Sequence, residues 1–331
     1  MTTNNPADHC AGQPSEQGPA PTRAPIRTVV FDLGQVVLRW VPERPYARVL
    51  PGHQIPEFMA EISFSEWNRG LDAGRSIEAM EAELVAQLPH RREAIEAYRT
   101  HFDASVTGMV EGTGAILAEL AAAGVRLLAL TNWSADLFRP TRRRFDLLQR
   151  FEGIVVSGEE KITKPDPALF RIVFDRYQVD PTTAAFVDDS AANCATATNL
   201  GMAAIPFVDA DSTRERLVEL GVLGPRTPIT EPVFHVAKRK HWAALQADGH
   251  YPWSSRCVTY EQEGFVHLSY ADQVAGVVRR FYAADRPQDL VVLELDPSRA
   301  GAPIIVEHGF PHLFGPVLAT AVVATRDLET S

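Results

Sequence analysis

The chain has 331 residues, of which 45% are apolar and 22% charged, with a formal net charge of −10. That length exceeds what one hydrophobic core usually organises, so two domains are expected. No apolar run reaches the roughly 20 residues of a membrane span, and so negative a balance repels phosphate backbones and argues against nucleic acid as a partner.

Three cysteines, Cys10, Cys194 and Cys257, are too few and too scattered for a disulfide framework or a zinc cluster. With no charged-then-apolar secretion signal at the N-terminus, the expected setting is the reducing cytoplasm. Residues 1–25 are rich in Pro, Gly, Gln and Asn, offer little to bury, and are expected to be a disordered tail.

From Arg27 the chain alternates strands and helices. "TVVFDL" (28–33) reads as a buried parallel strand. A segment of about 40–110 follows with helical patterns such as "SIEAMEAELVAQL" and "RREAIEAYRTHF" and little strand signal. It is too long for a loop and is expected to be a helical cap. "GTGAILAELAAAG" is a helix stopped at Gly124, and "GVRLLALTN" is the next strand. "GIVVSG", "AAFVDDS" and "MAAIPF" are three further strands. Between them lie the helix "DPALFRIVFDRYQ", with Asp166 as N-cap and Pro167 in its first turn, and the small-residue helix "AANCATATNLG". This alternation predicts an α/β fold, a doubly wound Rossmann-like parallel sheet over 26–224.

"PRTPITEP" then places three prolines in eight residues. It reads as a linker, 225–231, which few contacts should cross. Residues 232–331 change character. "PVFHVA", "GFVHLS", "LVVLELD" and "ATAVVATRDL" read as strands, and "KRKHWAALQADG" and "YADQVAGVVRRFY" as helices, giving a small α+β domain.

In an open α/β sheet, ligands bind beyond the carboxyl ends of the strands. Asp32, Thr131 with Asn132, Lys164, and Asp188 with Asp189 all fall near such ends. Singly, each is an ordinary strand end, cap or turn; four in order are not. Converging carboxylates repel, by on the order of 4 kcal/mol per pair at about 4 Å and an effective dielectric near 20, so such a pocket wants a cation. Oxygen ligands suit Mg²⁺. A carboxylate can attack phosphorus to give an aspartyl-phosphate, and a lysine can neutralise it.

"FDLGQVV", "LLALTN", "KITKPDPALF" and "FVDDSAANCATATNLGM" together resemble the four motifs of the haloacid dehalogenase-like hydrolase superfamily, in a form similar to its sugar-phosphate-phosphatase branch. The resemblance implies Asp32 as nucleophile, Thr131 as phosphate binder, Lys164 as stabilising cation, and Asp32, the Gly34 carbonyl, Asp188 and Asp189 as Mg²⁺ ligands. The expected activity is hydrolysis of a small phosphorylated metabolite. Position 34 departs from the pattern: many phosphatases of the superfamily carry an acid–base Asp there. Water or a cap residue would then have to protonate the leaving group. The alternatives are a haloacid dehalogenase or other carbon-centred hydrolase, which needs no such acid, and a non-catalytic phospholigand-binding protein. The acidic pair at 188 and 189 weighs against dehalogenation. In the cap, "FSEWNRGLDAGRSI" carries Trp67, Asn68 and Arg69, of which Arg69 or the aromatic ring could contact a sugar or phosphate; a solvated cap helix with Trp67 in its core is the plainer reading.

In the second domain, "GFVHLS" and "FPHLFGP" resemble an uncharacterised bacterial domain family grouped with ADP-ribosyltransferase-like folds. That resemblance implies a pocket with His267 and His312, for a nucleotide-like ligand. Structural histidines would give the same sequence.

Overall fold

The computed structural model describes residues 24–245 and 249–328; the expected tail, up to residue 23, lies outside the described residues together with Cys10. The first apolar run forms β1 (Thr28–Phe31), and the chain turns through Gly34 into β2 (Leu38–Trp40). Four helices follow: α1 (Ile55–Glu61), α2 (Phe64–Asp72), α3 (Ile77–Gln87) and α4 (Arg92–Thr100). They bury Tyr46, Phe58, Phe64, Trp67, Tyr98 and Phe102 among themselves, with ring centroids 5.2 Å apart for Tyr46–Phe58 and Phe64–Tyr98. Trp67 therefore belongs to the cap core. Strand β3 (Val106–Met109) pairs antiparallel with β2 and ties the base of the cap. Two strands this short carry too little alternation to be read from sequence.

The chain continues through α5 (Thr113–Ala122), β4 (Arg126–Thr131), α6 (Ala135–Arg144), β5 (Gly153–Val156), the single turn α7 (Ser157–Glu160) and α8 (Pro167–Tyr177). As expected, Asp166 caps α8, accepting the Ala168 N–H at 2.8 Å. Then come β6 (Ala184–Asp188), α9 (Ala191–Asn199), β7 (Ala203–Pro206) and α10 (Ala210–Glu219). The five long-range strands form one parallel sheet in the order β5-β4-β1-β6-β7. Successive side chains leave opposite faces of a strand. Val29, Phe31, Leu127, Ala129, Ala185 and Val187 accordingly join the core that runs into the cap. Val30, Leu128, Leu130 and Phe186 pack under α8 and α9 on the other face. Burial on both faces explains why these strands read as unbroken apolar runs.

The remaining chain forms β8 (Val233–Lys238), α11 (Arg239–Ala243), β9 (His250–Tyr251), α12 (Tyr260–Glu263), β10 (Val266–His267), α13 (Val274–Phe281), β11 (Leu290–Leu295), β12 (Ile304–Glu307), β13 (Phe310–Leu313), β14 (Val317–Leu318) and β15 (Val322–Arg326). Three small antiparallel sheets result, β15-β11-β8, β10-β13-β12 and β14-β9. The helix expected over "KRKHWAALQADG" stops at Ala243. Among the described residues of that segment only Trp242 and Leu245 reach the core, few anchors for a longer helix.

The expectation that few contacts cross the linker is corrected. Ala115 and Ala118 of α5 pack against Phe265 and Phe314 of the second unit. A Cβ on Gly114 would lie 2.6 Å from Met109 Cε and 3.1 Å from Phe314 Cδ1, so the glycine lets the two units approach. In the linker itself, the Arg226 guanidinium bonds Glu119 of α5 at 2.7 Å, beside Arg214 at 2.9 Å. Arg150 makes a two-pronged ion pair with Glu307 of β12, its bond to Oε2 at 2.9 Å, and the same Oε2 receives His312 Nδ1 at 2.9 Å. Burial alone would raise the Glu307 carboxyl, but His312 and the Arg150 charge override it and hold it at about 2. A depressed carboxyl contributes stability that is complete above its unfolded value and is lost as pH falls through the folded one. Glu307→Gln should therefore cost about 3 kcal/mol at pH 7. The difference from wild type should shrink as pH drops below the ordinary glutamate range toward 2. Urea unfolding at several pH values checks this; a difference that stays constant with pH refutes it.

Candidate active site

The carboxyl ends of β1, β4 and β6 face one crevice, beside the strand where the sheet's winding reverses. Asp32 follows β1, Thr131 ends β4, and Asp188 ends β6. Lys164, from the loop before α8, lies between them with 1% of its side chain exposed. Its ammonium donates to Asp32 Oδ1 at 2.9 Å, Asp188 Oδ2 at 2.7 Å and the Leu130 carbonyl at 2.8 Å. The expected pieces are thus brought together by three strand ends and one loop.

Each carboxylate is separately aimed. Asp32 Oδ1 accepts the Leu33 N–H at 2.7 Å. Asp188 takes the Ser190 N–H at 2.8 Å and the Asn193 amide at 2.9 and 3.0 Å. Asn193 went unnoticed in the sequence. Its signal is its position five residues after Asp188, one turn into α9. Asn132 spends its whole side-chain amide on the Lys164 main chain, donating to the carbonyl at 3.0 Å and accepting the N–H at 2.8 Å. It braces the lysine loop, and it also lines the cavity beside Gly34. Thr131 Oγ1 is buried with no hydrogen-bond partner among the described residues. Native structures leave few such groups unpaired, so this hydroxyl is free to bond an oxygen that enters the crevice.

Asp32, Asp188 and the exposed Asp189 can each turn a carboxylate oxygen to within 4.8 Å of the others. Three carboxylates against one ammonium leave two negative charges, and hard oxygen donors in that number fit a divalent cation such as Mg²⁺. Burial pushes the Asp32 carboxyl up to about 6, against the pull of Lys164. Burial works to lower Lys164, but Asp32 and Asp188 override it and the net shift is upward, which holds the ammonium charged. Asp189 is raised by partial burial and by Asp188.

Two further positions decide the shape above this cluster. Gly34 has ordinary backbone φ, and a Cβ built on it meets nothing within 4 Å. The glycine is not required by its backbone; it leaves room. Arg69 is exposed on α2 and lines none of the site. On a helix, side chains one residue apart diverge by about 100°, and it is Asn68 and Asp72 that turn inward with Phe64, Trp67 and Leu71. Asp72 is a second residue that the sequence alone does not single out. Its one local mark, an acid four residues after Asn68 on the face that carries Phe64, Trp67 and Leu71, does not say what that face meets. Asn68 Nδ2 donates to its carboxylate at 3.1 Å, and the Ser134 N–H also bonds it. Burial pushes the Asp72 carboxyl up to about 7, with the Asp32 charge adding to the rise and Lys164 opposing it.

His267 and His312 form a cross-strand pair with ring centroids 5.1 Å apart. His312 is buried and bonded to Glu307, whereas the His267 side chain is 46% exposed. Both line a cavity of about 820 Å³ far from the carboxylate cluster in sequence, which also includes His235, Arg279 and Arg280.

Residues 26–201 match the family described as haloacid dehalogenase-like hydrolase, and residues 236–325 match a family described as a protein of unknown function, DUF952. A phosphoserine phosphatase of Thermus thermophilus is 41% identical over 76 residues, 23% of this chain and 30% of that protein. Acyl-CoA dehydrogenase family member 10 of Mus musculus is 33% identical over 124 residues, 35% of this chain and 11% of that protein. The chain thus spans about a third or less of the length of these two curated relatives. Among solved structures, a HAD family enzyme of Bacteroides thetaiotaomicron superposes with a TM-score of 0.47 and 19% identity, covering 56% of this chain and 95% of its own.

Proposed function

Because the chain belongs to the haloacid dehalogenase-like hydrolase family, we propose that residues 26–224 hydrolyse a small phosphomonoester, with Asp32 as nucleophile and Mg²⁺ as cofactor. The observation that carries this reading is Lys164, buried between Asp32 and Asp188 with Asp189 at the rim. A dehalogenase has no use for that acidic pair. The local match to a protein named phosphoserine phosphatase supports the same chemistry.

In this reading Asp32 attacks phosphorus, the ester P–O bond breaks, and an aspartyl-phosphate forms; water then attacks it and releases phosphate. Thr131 Oγ1, without a partner until substrate arrives, donates to a phosphate oxygen. Lys164 holds Asp32 in place and balances charge on the transferring group. Asp32, Asp188, Asp189 and the Gly34 carbonyl would hold Mg²⁺, whose chemistry is to neutralise the phosphate oxygens. The cap residues Asn68, Asp72 and Tyr98 line a cavity of about 80 Å³ together with Gly34, which supports the cap as the part that meets the leaving group. A screen of phosphomonoesters with and without a chelator, with haloacids as controls, tests the assignment. Chloride release without metal would replace it by the dehalogenase reading, and phospholigand binding without turnover would replace it by a regulatory one.

Residues 225–231 then act as the linker and 232–331 as a second unit, for which we propose a nucleotide-like ligand. The support is the cavity of about 820 Å³, with Arg279 and Arg280 in its wall and the exposed rings of Phe281 and Phe310 beside them. His235 Nε2 and Ser254 Oγ are buried there without partners among the described residues. Calorimetry of the full chain against nucleotides and dinucleotides should give saturable binding that His267→Ala weakens at least tenfold. No heat from the parent protein would make the histidines structural.

No helix among the described residues is long and apolar enough to cross a membrane. Cys194 and Cys257 are free thiols, which supports the proposed cytoplasmic setting.

A further inference from the structure

We propose that Asp72, carried into the site by the cap, is the general acid and base of this hydrolase and replaces the side chain that position 34 lacks. The inference rests on the phosphatase reading above and adds a catalytic residue to it.

The placement is built, not incidental. Asp72 ends α2, and its main-chain carbonyl accepts Ser157 Oγ of α7 at 2.6 Å. That same hydroxyl receives the Trp133 N–H at 3.0 Å, so one serine ties the end of the cap helix to the loop after β4. Two glycines permit the approach. A Cβ on Gly74, whose φ is +86°, would lie 2.8 Å from the Gly158 carbonyl oxygen, and a Cβ on Gly158 would lie 2.5 Å from the Ala135 nitrogen. The carboxylate is then oriented by Asn68 and by the Ser134 N–H.

What the carboxylate faces is the space left by Gly34. Both residues line the same cavity of about 80 Å³, together with Asn68, Tyr98, Asn132 and Ser134. Asp72 is the one carboxyl among the described residues lining it. The charges that act on it are Asp32 and Lys164, the nucleophile and its cation. The room beside Gly34 is where a phosphatase with an acid at that position would keep its carboxyl. Here a carboxyl of the cap lines the same cavity.

The proton accounting closes. As Asp32 oxygen bonds to phosphorus, the electron pair of the ester P–O bond goes to the leaving oxygen, which takes the proton of the Asp72 carboxyl and departs as an alcohol. The Asp72 carboxylate then takes a proton from the water whose oxygen attacks the phosphorus of the aspartyl-phosphate. The bond to Asp32 breaks, phosphate leaves, and Asp72 is again protonated. The sum is ester plus water giving alcohol plus phosphate.

The test compares an alkyl phosphate, whose leaving oxygen needs a proton, with p-nitrophenyl phosphate, whose leaving oxygen does not. Asp72→Asn should lower the ratio of alkyl to aryl turnover by about 10²- to 10⁴-fold, the usual worth of a general acid. Adding Gly34→Asp should restore that ratio at least tenfold, since the new carboxyl enters the same cavity. Equal losses on both esters, no change in the ratio, or a double variant that stays at the ratio of Asp72→Asn would each overturn the proposal. In the wild type, turnover across a series of esters should depend weakly on the acidity of the leaving group; steep dependence overturns it even if the variant fails to fold. A wild type that turns over neither ester refutes the phosphatase reading and this role with it. A wild type that turns over both, with an unmoved ratio, refutes the role of Asp72 alone.

Discussion

Asp32→Asn is expected to abolish turnover, by about 10⁵- to 10⁶-fold as for removal of other nucleophiles, while leaving the fold at least as stable as before at neutral pH in the absence of metal. The two halves of this result have one cause. Asn keeps the shape of the side chain and can still accept the Leu33 N–H that Asp32 Oδ1 accepts at 2.7 Å. It cannot form an acyl-phosphate. In the folded chain, burial raises the Asp32 carboxyl from 3.8 to about 6. A raised carboxyl binds its proton more tightly when folded, so stability falls as pH rises from the ordinary aspartate value through about 6. The neutral amide does not carry that cost. Activity and stability should move in opposite directions, as they do where a site holds destabilising charge. Mg²⁺ should then stabilise the wild type more than the variant, because it binds the folded carboxylates. Thermal melts with Mg²⁺ and with a chelator measure both. A variant that melts well below the metal-free wild type at neutral pH would contradict the account.

Lys164→Met should behave in the opposite way. The ammonium is the internal counter-charge of Asp32 and Asp188, both buried, and it bonds both within 3 Å. Taking it away leaves two carboxylates facing each other without a cation. Breaking a buried pair in this manner costs about 3–5 kcal/mol. Part of that loss should return when Mg²⁺ is added, since the same oxygens can hold it. Turnover should fall by about 10²- to 10³-fold or more even at saturating Mg²⁺, because a point charge on the transferring group has gone. Urea unfolding in chelator and in Mg²⁺ separates the terms. Stability unchanged in chelator would mean that Lys164 is not the counter-charge of the cluster.

The parts of this site that could be read from sequence are those set by strand ends. Asp32, Thr131 and Asp188 follow short apolar runs whose alternate residues fill two cores, so the sheet fixes where each run stops. Lys164 was legible because the capped start of α8, Asp166 followed by Pro167, places it just before a helix. Asp72 was not legible, because its role depends on how the cap seats on α7 through Gly74 and Gly158, and no local pattern records that approach. Arg69 stands out in the sequence by its charge, but the helical phase turns it outward. The same limit explains the contacts that cross the linker. Prolines in "PRTPITEP" signal a boundary, but Gly114, Phe314 and the Arg150–Glu307 pair that close it are distant in sequence.

The central claim is that Asp32 becomes covalently phosphorylated. Purified enzyme mixed with a radiolabelled phosphomonoester that it turns over, and quenched in acid within milliseconds, should carry label on the peptide containing Asp32 when Mg²⁺ is present. The label should vanish in chelator and in Asp32→Asn. Release of phosphate from such a substrate with no protein-bound label, or labelling that survives the chelator, would contradict the account.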